Sequence, residues 1–189
     1  MRTTIMAVLT GTLIIALTGA AAATVLDFED LVGYGAMPNP YQGIILWEEG
    51  SWFYYDQAQN PYNAASGSQR TYESLTDTTP SWQFLTPVIF TGAYFAGESI
   101  VGGKTVTVQM DLYRGDTLVH QTQEYTPSAT PTFFATGYAG QVDKVVINTS
   151  KPDYWVMDDL TYTQTPVPAA VWLLGAGLAA LAGRRWRQR

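Results

Sequence analysis

Two short acidic clusters are the residues whose types and spacing most invite chemistry. Asp27-Phe28-Glu29-Asp30 stands near the start of the chain and Met157-Asp158-Asp159-Leu160 near the end of its polar part. In both, carboxylates interrupt an apolar run. Carboxylates brought together repel one another unless a cation holds them, and Ca²⁺ accepts about six to eight oxygens in irregular geometry. The competing reading is that these acids face solvent or accept backbone hydrogen bonds at strand ends. A second concentration is aromatic and runs from Tyr34 to Trp82, taking in Tyr41, Trp47, Trp52, Phe53, Tyr54, Tyr55, Tyr62 and Tyr72. Sugars stack flat C–H faces on such rings while nearby amides and carboxylates bond their hydroxyls. A platform of Trp52, Tyr54 and Tyr62 suits a polysaccharide, with Trp47, Phe53 and Trp82 assigned to the core. Signals for catalysis are poor, and no catalytic residue is assigned. His120 is the only histidine, and neither a nucleophile elbow nor a zinc motif accompanies it. Glu48-Glu49 is the one carboxylate pair worth weighing for glycoside hydrolysis.

Composition limits what can position these groups. Apolar residues make up 47% of the 189 and aromatics 13%, enough to build a core and to argue against disorder. One domain is expected. There is no cysteine, which removes disulfides, thiolate metal sites and cysteine nucleophiles together. All 16 acidic residues lie between Asp27 and Asp159, against five basic residues in the same span, a local balance of −11. Such a domain repels nucleic acid phosphates and attracts cations.

The elements in this span read as strands. Lys104 to Leu112 alternates Val106, Val108, Met110 and Leu112 with Thr105, Thr107, Gln109 and Asp111, the period of a half-buried strand. Tyr113-Arg114-Gly115-Asp116 then turns the chain, and Thr117 to Tyr125 returns as the second arm of a hairpin. Further strands are expected at Val25–Leu31, Gly43–Trp47, Trp52–Tyr55, Trp82–Leu85, Val88–Phe95, Pro131–Tyr138, Val142–Asn148 and Tyr154–Thr163. Short strands parted by Gly, Pro, Asn and Asp predict an all-β domain, a β-sandwich or jelly roll, over residues 24–163. Asp56 to Pro80 lacks an apolar pattern and reads as a long loop or a pair of edge strands.

The two ends read as address labels. Met1-Arg2, an apolar run from Ile5 to Leu17 and the alanines Ala20 to Ala23 compose a secretory signal peptide over residues 1–23, a helix to be removed by signal peptidase. At the other end Pro166-Val167-Pro168 leads into an apolar stretch from Ala169 to Gly183 and an Arg184-Arg185-Trp186-Arg187-Gln188-Arg189 tail. Fifteen helical residues span roughly 22 Å, short of the ~30 Å hydrocarbon core. Residues 164–189 therefore predict a short transmembrane helix, with the arginines cytoplasmic and the domain outside.

The run Pro166-Val167-Pro168-Ala169-Ala170-Val171-Trp172-Leu173-Leu174-Gly175, closed by arginines, resembles the PEP-CTERM sorting signal in its VPLPA variant. That resemblance implies transient insertion in the inner membrane of a Gram-negative bacterium. An exosortase-like membrane protease then acts at the motif, and the domain is delivered to the cell surface, outer envelope or extracellular matrix. Pro166, Val167, Pro168, Ala169, Ala170, Trp172, Arg184 and Arg185 carry the signal. The middle of the chain resembles exported bacterial domains that precede such tails, through Leu26-Asp27-Phe28-Glu29-Asp30-Leu31, Pro40-Tyr41-Gln42-Gly43-Ile44-Ile45-Leu46-Trp47 and Met157-Asp158-Asp159-Leu160-Thr161. Its layout is also similar to galactose-binding-like carbohydrate-binding modules, with a Phe-Glu element at the start and an Asp-Asp-apolar element at the end. That likeness implies a structural Ca²⁺ held by Glu29 and Asp159, then Asp27 and Asp158, and a non-catalytic polysaccharide-binding role. A matrix protein without a defined ligand is the competing class, and a carbohydrate-active enzyme the third.

Overall fold

A computed structural model describes residues 22–48, 51–74 and 79–164. Apart from Ala22, Ala23 and Gln164, the expected signal peptide and sorting tail lie outside them, as does Glu49. Thirteen strands and no helix occur among the described residues. Every strand pairing is antiparallel.

The organising element is β6 (Ser81–Gly97), a strand of 17 residues. Its first half lies between β3 (Ile45–Trp47) and β12 (Val142–Thr149), with Trp82 opposite both Trp47 and Val145. Its second half lies between β11 (Thr132–Ala135) and β13 (Trp155–Gln164), with Phe95 opposite both Thr132 and Met157. Beyond β12 come β9 (Val108–Arg114) and β10 (Thr117–Gln121). Beyond β13 come β5 (Arg70–Ser74), β4 (Ser51–Tyr55) and the two-residue β2 (Gly35–Ala36). One long strand thus serves two sets of neighbours, an arrangement consistent with a β-sandwich. Two strands had been expected here, parted at Thr86-Pro87. Proline removes a ladder donor, yet Leu85 still donates sideways to Ile44 (2.8 Å) and pairing resumes at Val88.

The first and last strands lie together: β1 (Ala23–Leu26) pairs with β13, Leu26 opposite Leu160. The predicted hairpin is present as β9 and β10, with Gly115 at φ 57° in its turn, a conformation glycine adopts without Cβ strain. The alternation from Lys104 is broken after Thr105, where β8 (Lys104–Thr105) pairs with β7 (Ile100–Val101) before β9 begins. Val106, Val108, Met110 and Leu112 are buried all the same.

The core is aromatic. Trp47, Trp52 and Trp82 are buried together with ring centroids 4.7 to 6.0 Å apart, and Trp155 meets Trp52 at 6.1 Å. Phe28, Phe84, Phe90 and Phe95 complete the packing. Tilted and edge-to-face rings of this kind add roughly 0.5–1.5 kcal/mol per pair to the burial of their area.

Candidate functional site

The segment between β4 and β5 is a single pinned loop, not a pair of edge strands. β5 follows it as an interior strand between β4 and β13. The pins come from the two acidic clusters. Because β1 and β13 are paired, Glu29, just beyond β1, and Asp158, within β13, reach the same five residues of loop. Glu29 Oε1 accepts the N–H groups of Ser68 (2.8 Å) and Gln69 (2.6 Å). Asp158 Oδ2 accepts those of Ala65 (2.7 Å) and Ser66 (3.1 Å), while its Oδ1 accepts the N–H of Asp159 (2.7 Å). Asp159 accepts the Ser66 hydroxyl at 2.7 Å. Asp27 caps the N–H of Glu29 at 3.3 Å.

Backbone N–H groups thus donate to these carboxylates at the strand ends. Among the described residues no group of three or more His, Asp or Glu is placed to hold a metal ion. Burial, the largest effect, pushes the Asp158 carboxyl up to about 7 against the pull of its N–H donors. Gly67 belongs to the same clamp. It sits at φ 48°, and a Cβ there would overlap the Glu29 carboxyl group.

Arg70 pins the loop from below. It is 2% exposed, donates to the carbonyls of Ser68 (2.7 Å) and Gln57, and stands 3.9 Å over the Tyr55 ring. Asn63 reaches across to the Ala129 carbonyl (2.6 Å), and Asp56 accepts the Gly33 N–H (3.1 Å). Between these ties, residues 58–62 form a rim, closed on itself by a Tyr62 N–H to Gln59 carbonyl bond of 2.7 Å.

Beside this rim is a cavity of about 300 Å³ lined by Tyr34, Tyr55, Gln57, Gln59, Tyr62, Tyr72, Asp153, Trp155 and Val156. The pleat of β4 decides which rings reach it. Trp52 and Tyr54 share one face, and Trp52, 4% exposed, belongs to the tryptophan core; Tyr54 packs on that core and over Gly35. Phe53 and Tyr55 take the other face, where Phe53 stacks on Tyr34 (5.7 Å) and Tyr72 (5.9 Å), and Tyr55 meets Tyr72 edge-on at 5.4 Å. The expected platform is thus corrected by one residue of strand parity: Trp52 and Tyr54 leave it, Tyr62 stays, and Tyr55 and Tyr72 join.

Two polar atoms of the cavity lack partners. Asp153 Oδ1 and Trp155 Nε1 are buried with no hydrogen-bond partner among the described residues. Burial raises the Asp153 carboxyl. It also pushes the Tyr62 phenol up to about 12, with the negative charge of Glu98 acting second, and raises Tyr72, helped by a hydrogen bond with Tyr34. No family model, curated protein or solved structure matches this chain. The cavity has to be read from its own chemistry.

Elsewhere, His120 is a half-buried strand residue stacked on Tyr138 (5.3 Å), and Glu48 is paired with Lys144 at 2.9 Å. Sequence reasoning missed Tyr34, Gln57, Gln59 and Asp153 as cavity residues. The amide-rich character of residues 57–63 was the signal available.

Proposed function

We propose that this chain is an exported protein carrying a jelly-roll β-sandwich, sorted by an exosortase-type protease to the surface or surrounding matrix of a Gram-negative cell. There its tyrosine-lined cavity binds polysaccharide without catalysis. The ends supply the sorting half of this reading, through the signal peptide, the Pro166-Val167-Pro168 motif and the arginine tail.

The observation that carries the binding half is the cavity itself: four tyrosines and a tryptophan beside two glutamines and one carboxylate. Apolar rings with a few placed polar groups suit the alternating C–H and hydroxyl faces of a sugar. Hydrolysis calls for two facing carboxylates, and Asp153 is the only one among the described lining residues. Assembly through a sheet edge calls for a long open strand, whereas β2 has two residues and β10 five. A ligand-free structural role is the second class to be tested.

The test is a glycan array probed with the purified full chain, with and without Ca²⁺. Binding to a defined polymer class supports the reading; no binding to any polymer leaves the structural role in its place. In the same preparation, a structural Ca²⁺ at Asp27, Glu29, Asp158 and Asp159 predicts that chelation lowers the melting temperature; an unchanged melting curve leaves these carboxylates to their N–H donors alone.

A further inference from the structure

The charge around the cavity is one-sided. Asp153 is its only ionisable lining residue apart from the tyrosines, and one of its carboxylate oxygens has no donor among the described residues. Glu98 and Asp153 both act on Tyr62, and Asp153 acts also on Tyr72. Among the described residues, the Arg70 guanidinium bears on the cluster through Tyr55. It lies over Tyr55 and is tied to the carbonyls of Ser68 and Gln57 rather than lining the cavity.

Tyrosine and tryptophan faces carry the negative lobe of the ring quadrupole, which attracts an ammonium group. A carboxylate oxygen buried without a donor is costly and is relieved by an incoming cation. Asp153 sits at φ 64°, a left-handed conformation that Asp and Asn enter more readily than other side chains.

We propose that the cavity selects sugar units bearing a free amine, so that its polymer is an aminoglycan at least partly deacetylated. The inference rests on the polysaccharide reading of the same cavity and names its ligand class. The amine of the sugar sits against Asp153 and the tyrosine faces, the C–H face stacks on Tyr62, and the hydroxyls meet Gln57 and Gln59. An N-acetyl group removes the positive charge, and a neutral hydroxyl in its place offers no counter-ion to Asp153.

Calorimetry on the full chain in mild detergent tests this with three β-1,4-linked hexasaccharides: glucosamine, N-acetylglucosamine and glucose. Measurements are made at moderate salt and a pH at which the amine is protonated. The glucosamine hexamer is expected to bind at least tenfold more tightly than either of the others. Asp153→Asn should erase that gap while leaving neutral binding in place, because asparagine accepts the left-handed backbone. Asp116→Asn, which removes the same charge from an exposed turn, should leave the gap intact.

Equal affinity for all three hexamers overturns the inference and spares the polysaccharide reading. A gap that shrinks equally with Asp116→Asn and Asp153→Asn also overturns it, assigning the preference to the overall negative charge. Failure of every hexamer and every array polymer to bind overturns both. Should Asp153→Asn not fold, the three-way comparison on the unaltered protein still decides.

Discussion

Trp52 and Tyr55 are three residues apart on one strand and belong to two aromatic regions built on different terms. Trp52 joins Trp47, Trp82 and Trp155 in a core where ring packs on ring. Tyr55 joins Tyr34, Tyr62 and Tyr72 around a cavity whose frame is a loop held by charged side chains on backbone groups. The core takes its stability from apolar area, which is non-directional and insensitive to pH. The loop is held by a handful of directional bonds to carboxylates, which are specific in geometry and titrate. Tryptophan dominates the first and tyrosine the second, with Trp155 reaching both, in keeping with a phenol that has one apolar body and one polar end.

The contrast can be broken most forcefully at Trp82, fully buried at the centre of the core. Trp82→Ala is expected to cost about 3–5 kcal/mol in denaturant unfolding; a loss below about 1 kcal/mol would deny the core its role. Next comes pH. Burial raises the Asp158 carboxyl to about 7 from an ordinary 3.8, so the folded state holds that proton more tightly than the unfolded chain. Its ionisation then lowers stability progressively as pH rises from about 4 to about 7, by at most ~4 kcal/mol. Melting curves across this range should show the fall, and Asp158→Asn should flatten it. An identical slope in the variant would mean that other groups set the pH response.

A smaller effect is expected at Gly67, where Gly67→Ala places a Cβ in the space of the Glu29 carboxyl. Loss of that clamp should cost about 1–3 kcal/mol, accompanied by faster amide exchange in residues 65–69. Unchanged exchange there would separate the loop from the carboxylates. Smallest in stability is Tyr62→Ala on the rim. Its melting temperature should barely move, while affinity for any glycan found on the array falls about tenfold. A variant that melts early with binding intact would make Tyr62 a core residue after all.

Much of the sheet was legible because alternation is a direct consequence of one face being buried. Val108, Met110 and Leu112 announce β9, and the Gly115 turn announces its partner. The convergence of the two acidic clusters on residues 65–69 follows from the β1–β13 pairing. β5 was not legible, for a physical reason: its inward positions are Thr71 and Glu73, both buried, so the strand carries no apolar period. Thr71 meets the cost by donating to the Phe53 carbonyl at 2.9 Å. The platform was misread by one residue for a related reason. In Trp52-Phe53-Tyr54-Tyr55 every position is aromatic, and composition alone cannot say which parity faces inward.

The pairing of β1 with β13 also sets an order of events. In a chain that crosses a membrane with its N-terminus leading, the first strand arrives outside long before the last. Glu29 can find the loop at 68–69 early, but Asp158 and the partner of β1 come only when the domain has fully emerged. Until then the edges of β1, β5 and β6 that β13 will pair stand open. The sheet closes at Gln164, two residues before the Pro166-Val167-Pro168 motif. The last residues of the domain thus complete the sheet.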